Sequence, residues 1–181
     1  MKATSIVFGS LEKIKNCYIE IPKFKSKIYM YTLPDISDSK SVSYNDEAAI
    51  GRSMPFKTYN SSENRSISWT AHFIASGPSD FEDFMVYLRI MEACTYPFTN
   101  VASVPFTPPP ICKLRCGELL SSSNSDDISA VLKSYSVKFD TSVPWDQTTL
   151  VPYKIDLDLQ FDVVYNQSAL PGAEKIYVGG I

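Results

Sequence analysis

The chain has 181 residues and a formal net charge of -3, with a sequence pI near 5.2, which is length for one buried core, too little for two independent domains, and no positive field to recruit a phosphate backbone. No stretch approaches the roughly 20 apolar residues of a membrane span, the opening run Ile6-Val7-Phe8 is too short for a signal-peptide core, and four cysteines at these spacings are not a secreted disulfide framework. The chain is 44% hydrophobic and 13% aromatic, with 11 Tyr and 10 Phe, a balance that favours half-buried pleated surfaces and a mainly β fold.

In chain order, residues 1–26 are an N-terminal segment to which no element is assigned. Lys27 to Leu33 is a weak strand candidate. Pro34 to Tyr59 reads as an extended loop (34–59). Structureless connections longer than about 12 to 15 residues are uncommon in compact domains unless they function. A loop that orders on a neighbouring subunit, or a surface excursion with a short strand near Ile50, are the two expectations. Arg65 to Ala75 alternates Ile67, Trp69, Ala71 and Phe73 against Ser66, Ser68, Thr70 and His72, a strand with one buried face. After Gly77-Pro78, Ser79 with Glu82 three residues on predicts a capping box. Phe81, Phe84, Met85, Leu88 and Met91 then form an apolar helical stripe that should end before Pro97.

Thr95 to Pro110, with Pro108-Pro109-Pro110, reads as irregular, Ile111 to Cys116 as a weaker strand, and Leu120 to Asp127 as a loop. Ser129 to Phe139 sets Val131, Tyr135, Val137 and Phe139 on one face, with Lys133 interrupting. The turn chemistry of residues 140–146 leads into the clearest element, Val151 to Tyr165, where Val151, Tyr153, Ile155, Leu157, Leu159, Phe161, Val163 and Tyr165 alternate with polar residues. These last two segments are expected to pair as a long antiparallel hairpin.

Chemistry is sparse. The lone histidine, His72, lies on the polar side of its strand and no G-x-S-x-G elbow accompanies it, so a solvated or core-edge role outweighs a catalytic base. Cys112-x-x-x-Cys116 lacks a second pair at zinc-ligand spacing. On one strand the two would stand about 13 Å apart, beyond bridging distance, so free thiols are expected. There is no P-loop and no G-x-G-x-x-G. Asp156, Asp158 and Asp162 share one strand face, which reads as an ordinary solvated face or as an acidic surface that repels a polyanion. No catalytic residue, metal or cofactor is expected.

Between Gly51 and Gly172 a set of pieces follows in a fixed order: residues 51–59, Ile67 to Phe73, the helix from Ser79-Asp80 to Tyr96-Pro97, and Pro108-Pro109-Pro110 with a strand closed by Gly117. Val137 to Asp140, Pro144-Trp145, Asp162 to Tyr165 and Leu170-Pro171-Gly172 complete the set. In this order they resemble the small tail-tube and baseplate proteins of contractile-tailed bacteriophages, nearest to the tube-initiator subunits between hub and tube. The resemblance implies a single tail-tube-like domain over 1–181, a β-sandwich or barrel of two antiparallel sheets with one flanking helix and long inter-subunit loops.

It further implies a homo-hexameric ring in the virion tail, assembled in the host cytoplasm. The ring would be bounded by the tail tube protein ring and baseplate hub proteins, with tape measure and sheath proteins as further neighbours. DNA would pass through its lumen without specific binding. On this view Asp156, Asp158 and Asp162 face the lumen, while Tyr44, Gly51, Arg52, Phe56 and Tyr59 belong to an inter-subunit loop. The main tube protein or another baseplate subunit is the alternative within the family. A monomeric β-sandwich that binds a ligand through Tyr44, Tyr59, Phe98 and Phe106 is the alternative from another class, and a hydrolase using the aspartates or His72 is a third.

Overall fold

The computed structural model describes residues 12–48, 50–51, 53–75, 78–97, 107–120, 127–147 and 150–165, with backbone only at 78 and 79. Nine strands and one α-helix follow in order: β1 (Cys17–Ile21), β2 (Ser26–Tyr29), β3 (Asp35–Ser39), β4 (Val42–Glu47), β5 (Phe56–Ser62), β6 (Ser66–Ile74), α1 (Pro78–Ala93), β7 (Ile111–Cys116), β8 (Ile128–Phe139) and β9 (Lys154–Val163). A 3-10 turn, Pro22–Phe24, lies between β1 and β2. Among the described residues the protein is mainly β, with two antiparallel sheets and one helix.

The two sheets are unequal. One has seven strands in the order β2-β1-β7-β8-β9-β6-β3, and the other is the hairpin β4-β5 alone. The strands Cys17–Ile21, Ser66–Ile74 and Lys154–Val163 all alternate buried and partly exposed residues, as the period-2 pattern requires. The expected pairing of β8 with β9 is present, from Ala130↔Val163 to Phe139↔Ile155. Asp140 Oδ1 accepts the Ser142 amide at 2.9 Å in the turn that follows, the local bonding that favours Asp there.

Chain connectivity forces the large sheet to curl. Its two edge strands, β2 and β3, are joined by residues 30–34 only, which reach at most about 20 Å. Seven flat strands would hold those edges roughly 29 Å apart at 4.8 Å per gap. The gap closes because the sheet bends, and Thr32 Oγ1, just after β2, donates to the His72 carbonyl on β6 at 3.2 Å. The core therefore lies inside the curl, among Ile19, Ile28, Trp69, Leu114, Leu157, Leu159 and Phe161, each 0 to 1% exposed. Among the described residues, enclosure comes from this one bent sheet together with helix α1.

Helix α1 lies against this apolar side. Phe84 meets Phe73 at 5.2 Å and Tyr31 at 6.1 Å between ring centroids, and Phe81 meets Tyr153 at 5.3 Å. The buried stripe is Phe81, Phe84, Tyr87, Met91 and Cys94, while Met85 is exposed. Three-residue steps dominate, so the contact line lies to one side of the expected Met85-Leu88 edge. The helix starts at Pro78, so Ser79 sits inside the first turn and not at the cap. Proline suits that first position, where its missing N–H has no intrahelical partner to lose.

Two expectations need correction. Residues 34–59 are not an irregular loop but hold β3, β4 and the start of β5. Their polar composition hid the strands because none of these three has a fully buried face to give a period. On β8, Val131 does not share a face with Tyr135. A bulge between Leu132 and Ser134 adds Lys133 as an extra residue, so Ile128, Ala130 and Leu132 point inward before it and Tyr135 and Val137 after it. Arg52, Phe98, Phe106, residues 121–123 and Leu170-Pro171-Gly172 lie outside the described residues.

Candidate functional site

The side of the large sheet turned away from the core is a continuous polar grid fixed by strand register. Lys138, Asp156 and His72 form one row across β8, β9 and β6. Ser136, Asp158, Thr70 and Asp35 form the next, and Ser134, Gln160, Ser68 and Ser37 the third. The three aspartates singled out in the sequence therefore do share this face. Each also has a local partner. Asp158 accepts from Thr70 Oγ1 at 2.6 Å, Asp162 lies 3.4 Å from Lys133 Nζ, and Asp156 lies 3.3 Å from Lys154 Nζ.

His72 is held between two carboxylates, with Nδ1 2.6 Å from Asp156 Oδ1 and Nε2 3.4 Å from Asp35 Oδ2. The Asp156 hydrogen bond raises the imidazole above its ordinary pKa against partial burial, and Asp35 assists. Burial opposes ionisation of Asp156, yet His72 and Lys154 hold its carboxyl below the ordinary carboxylate range. With both ring nitrogens facing carboxylates, the imidazole is engaged in joining β3, β6 and β9.

Four carboxylates, Asp35, Asp156, Asp158 and Asp162, thus meet Lys133, Lys138, Lys154 and His72 on this surface. The face is polar, rich in hydroxyls and close to charge balance. It is not a bare acidic ladder. Asp35, Lys133 and Lys154 were missed in the sequence. Lys133 left a signal there, since a charged residue that interrupts an apolar alternation marks a bulge. Asp35 left none, because its partner lies 37 residues away.

The second feature is the hairpin. No residue of β4 or β5 is buried, and among its large side chains Tyr44, Phe56 and Tyr59 are all about half or more exposed. Tyr44 and Tyr59 are cross-strand partners whose rings meet edge to face at 6.1 Å, and Lys57 Nζ lies 2.7 Å from Asp46 Oδ1. Gly51, at the tip, has φ +86 with open space around it, a conformation that side chains rarely adopt. At the base, the Glu63 amide donates to the Ser41 carbonyl at 3.0 Å, so the hairpin leaves and re-enters the body at one point. Of the five loop residues named in the sequence, Tyr44, Gly51, Phe56 and Tyr59 fall on this hairpin.

A cleft of about 280 Å³ opens between the hairpin base and the polar face, lined by Ser39, Lys40, Ser41, Glu63, Asn64, Ser66, Lys133 and Asp162. Its lining is polar and charged, unlike the largely apolar pockets that hold small organic ligands. No helix is long and apolar enough to cross a membrane among the described residues. No protein-family model matches the chain, and no curated protein matches it at a significant level.

Proposed function

We propose that this chain is a structural subunit of a contractile phage tail, assembling as a hexameric ring where the baseplate hub meets the tail tube and presenting a platform on which tube subunits polymerise. The observation that carries the proposal is the β4-β5 hairpin. A two-stranded sheet with no buried residue is marginal in water on its own. It becomes stable when its aromatic faces meet another body, and in a ring that body is the neighbouring copy. The edges at β2 and β3, which pair with no further strand among the described residues, fit the same picture, since closure of a ring lets edges pair or be covered.

In this arrangement the polar grid of β3, β6, β9 and β8 faces the lumen. Asp156, Asp158 and Asp162 are locally compensated, and the remaining hydroxyl and amide groups bind duplex DNA no better than they bind water. The wall gives DNA neither a cationic track nor strong repulsion. Neighbouring rings of tube protein on one side and hub proteins on the other, with sheath and tape measure beyond, follow from the same placement, as does residence in the virion.

Native mass spectrometry and negative-stain imaging of the purified chain test the proposal. The expected result is six-fold rings that nucleate tube protein when it is added. A strict monomer at high concentration that enters no particle would overturn it and favour a monomeric binding module. Within the family, rings that stack on themselves into long tubes would assign the chain as the tube protein instead.

A further inference from the structure

The four cysteines are free and buried, and they meet in two pairs that both use β7. Cys94, one residue beyond α1, faces Cys112. Cys17, the first residue of β1, lies against Cys116, the last of β7, with 3.3 Å between the Sγ atoms. Cys17 and Cys116 are direct cross-strand partners, but they exchange no backbone hydrogen bond. The Cys17 amide donates to Ile14, its carbonyl accepts from Met30, and the Cys116 amide donates to Leu120. They occupy a non-hydrogen-bonded position of the antiparallel ladder, where Cα atoms approach to about 4.5 Å. That separation lies within the range a disulfide spans.

We infer that Cys17 and Cys116 are a disulfide-forming pair that staples β1 to β7 when the protein meets a small-molecule disulfide oxidant. One thiol loses its proton and attacks the oxidant, releasing one small thiolate and leaving a mixed disulfide. The second protein thiolate then attacks the protein sulfur of that bond, forms the Cys17–Cys116 S–S bond and expels the other small thiolate. The two protons given up by the cysteines go to the two leaving thiolates, and two electrons reduce the oxidant.

Burial, with Cys116 alongside, raises the Cys17 thiol above its ordinary pKa, so the closed pair is unreactive. Both residues stand at one end of the β1-β7 ladder, and fraying of that end exposes them without unfolding the sheet. Among the described strands β1 and β2 pair with the rest of the sheet through β7, so the bond fixes that pairing.

The test is incubation of the full chain with oxidised glutathione, followed by non-reducing peptide mapping by mass spectrometry, beside Cys17→Ser, Cys116→Ser and Cys94→Ser. The linked Cys17–Cys116 peptide is expected in the unsubstituted chain and in Cys94→Ser, and not in the other two. Amide exchange of Tyr18, Ile19 and Glu20 should slow on the order of tenfold on oxidation and recover with reductant. Four free thiols after prolonged incubation, glutathione adducts alone, or a first disulfide between Cys94 and Cys112 would each overturn the inference. If the serine variants do not fold, mapping of the unsubstituted chain decides by itself.

Discussion

His72 is the only histidine in the chain, so its titration reports on a single contact set. Its raised pKa means that its contribution to stability is complete below about pH 6.5 and lost as pH rises through the folded value. The depressed Asp156 contributes fully above about pH 4, and that share is lost as pH falls through its folded value. The pair therefore supports the fold most between about pH 4 and 6.5. An NMR titration should find the imidazole above its ordinary value, and Asp156→Asn should bring it down toward that value. The same substitution should cost roughly 1 kcal/mol at pH 5.5, read by urea denaturation, and less at pH 9.

Trp69 belongs to the same scale. It is fully buried, and its Nε1 has no hydrogen-bond partner among the described residues. An unpaired buried N–H carries a desolvation cost of about 1–3 kcal/mol. Truncation still removes a large ring from a close-packed core. Trp69→Ala should cost about 3–5 kcal/mol, whereas Trp69→Phe, which also deletes the unpaired N–H, should cost clearly less in the same denaturation experiment.

Among the elements, α1 and the hairpin behave oppositely. Phe84 touches both Tyr31 and Phe73 at 1% exposure, so Phe84→Ala should lose about 3–5 kcal/mol. Val86, half exposed on the same helix, should change stability by no more than about 0.5 kcal/mol when made alanine. The hairpin leaves the body at Ser41 and returns at Glu63 with a backbone bond between them. Replacing Val42–Ser62 by a two-glycine turn should leave the circular dichroism and melting of the large sheet nearly unchanged while abolishing ring formation. Loss of the whole fold would show that the hairpin stabilises its own chain.

The helix and the strands β6, β8 and β9 were legible in the sequence, because each buries one face and burial imposes a period on apolar residues. Strands β3, β4 and β5 were not, since their stability rests on backbone pairing and most of their side chains remain in solvent.

For the whole molecule, the curl decides which surfaces are available to partners. The polar grid becomes a convex outer wall, with the hairpin at one side and α1 across the interior. If that wall lines a channel, Asp158→Lys with Asp162→Lys should turn near-balance into a cationic track. The variant ring should then retain duplex DNA in a mobility-shift assay, and the retention should fall steeply with salt. The unsubstituted ring should retain none. Asp156 is left in place because it anchors His72 and Lys154.

By itself the sequence determined that the chain folds around one core of alternating strands with a single packed helix. That information is local, being written in the spacing of apolar residues along each segment. The sequence also placed Asp156, Asp158 and Asp162 on one face, because strand geometry alone sends alternate residues the same way. Only the tertiary structure decided that Lys133 and Lys154 compensate those charges, that His72 joins Asp35 to Asp156, and that Cys17 meets Cys116 across 99 residues. Such contacts depend on which strands become neighbours and in what register. That choice is made by the core as a whole when the short 30–34 connection draws the two sheet edges together.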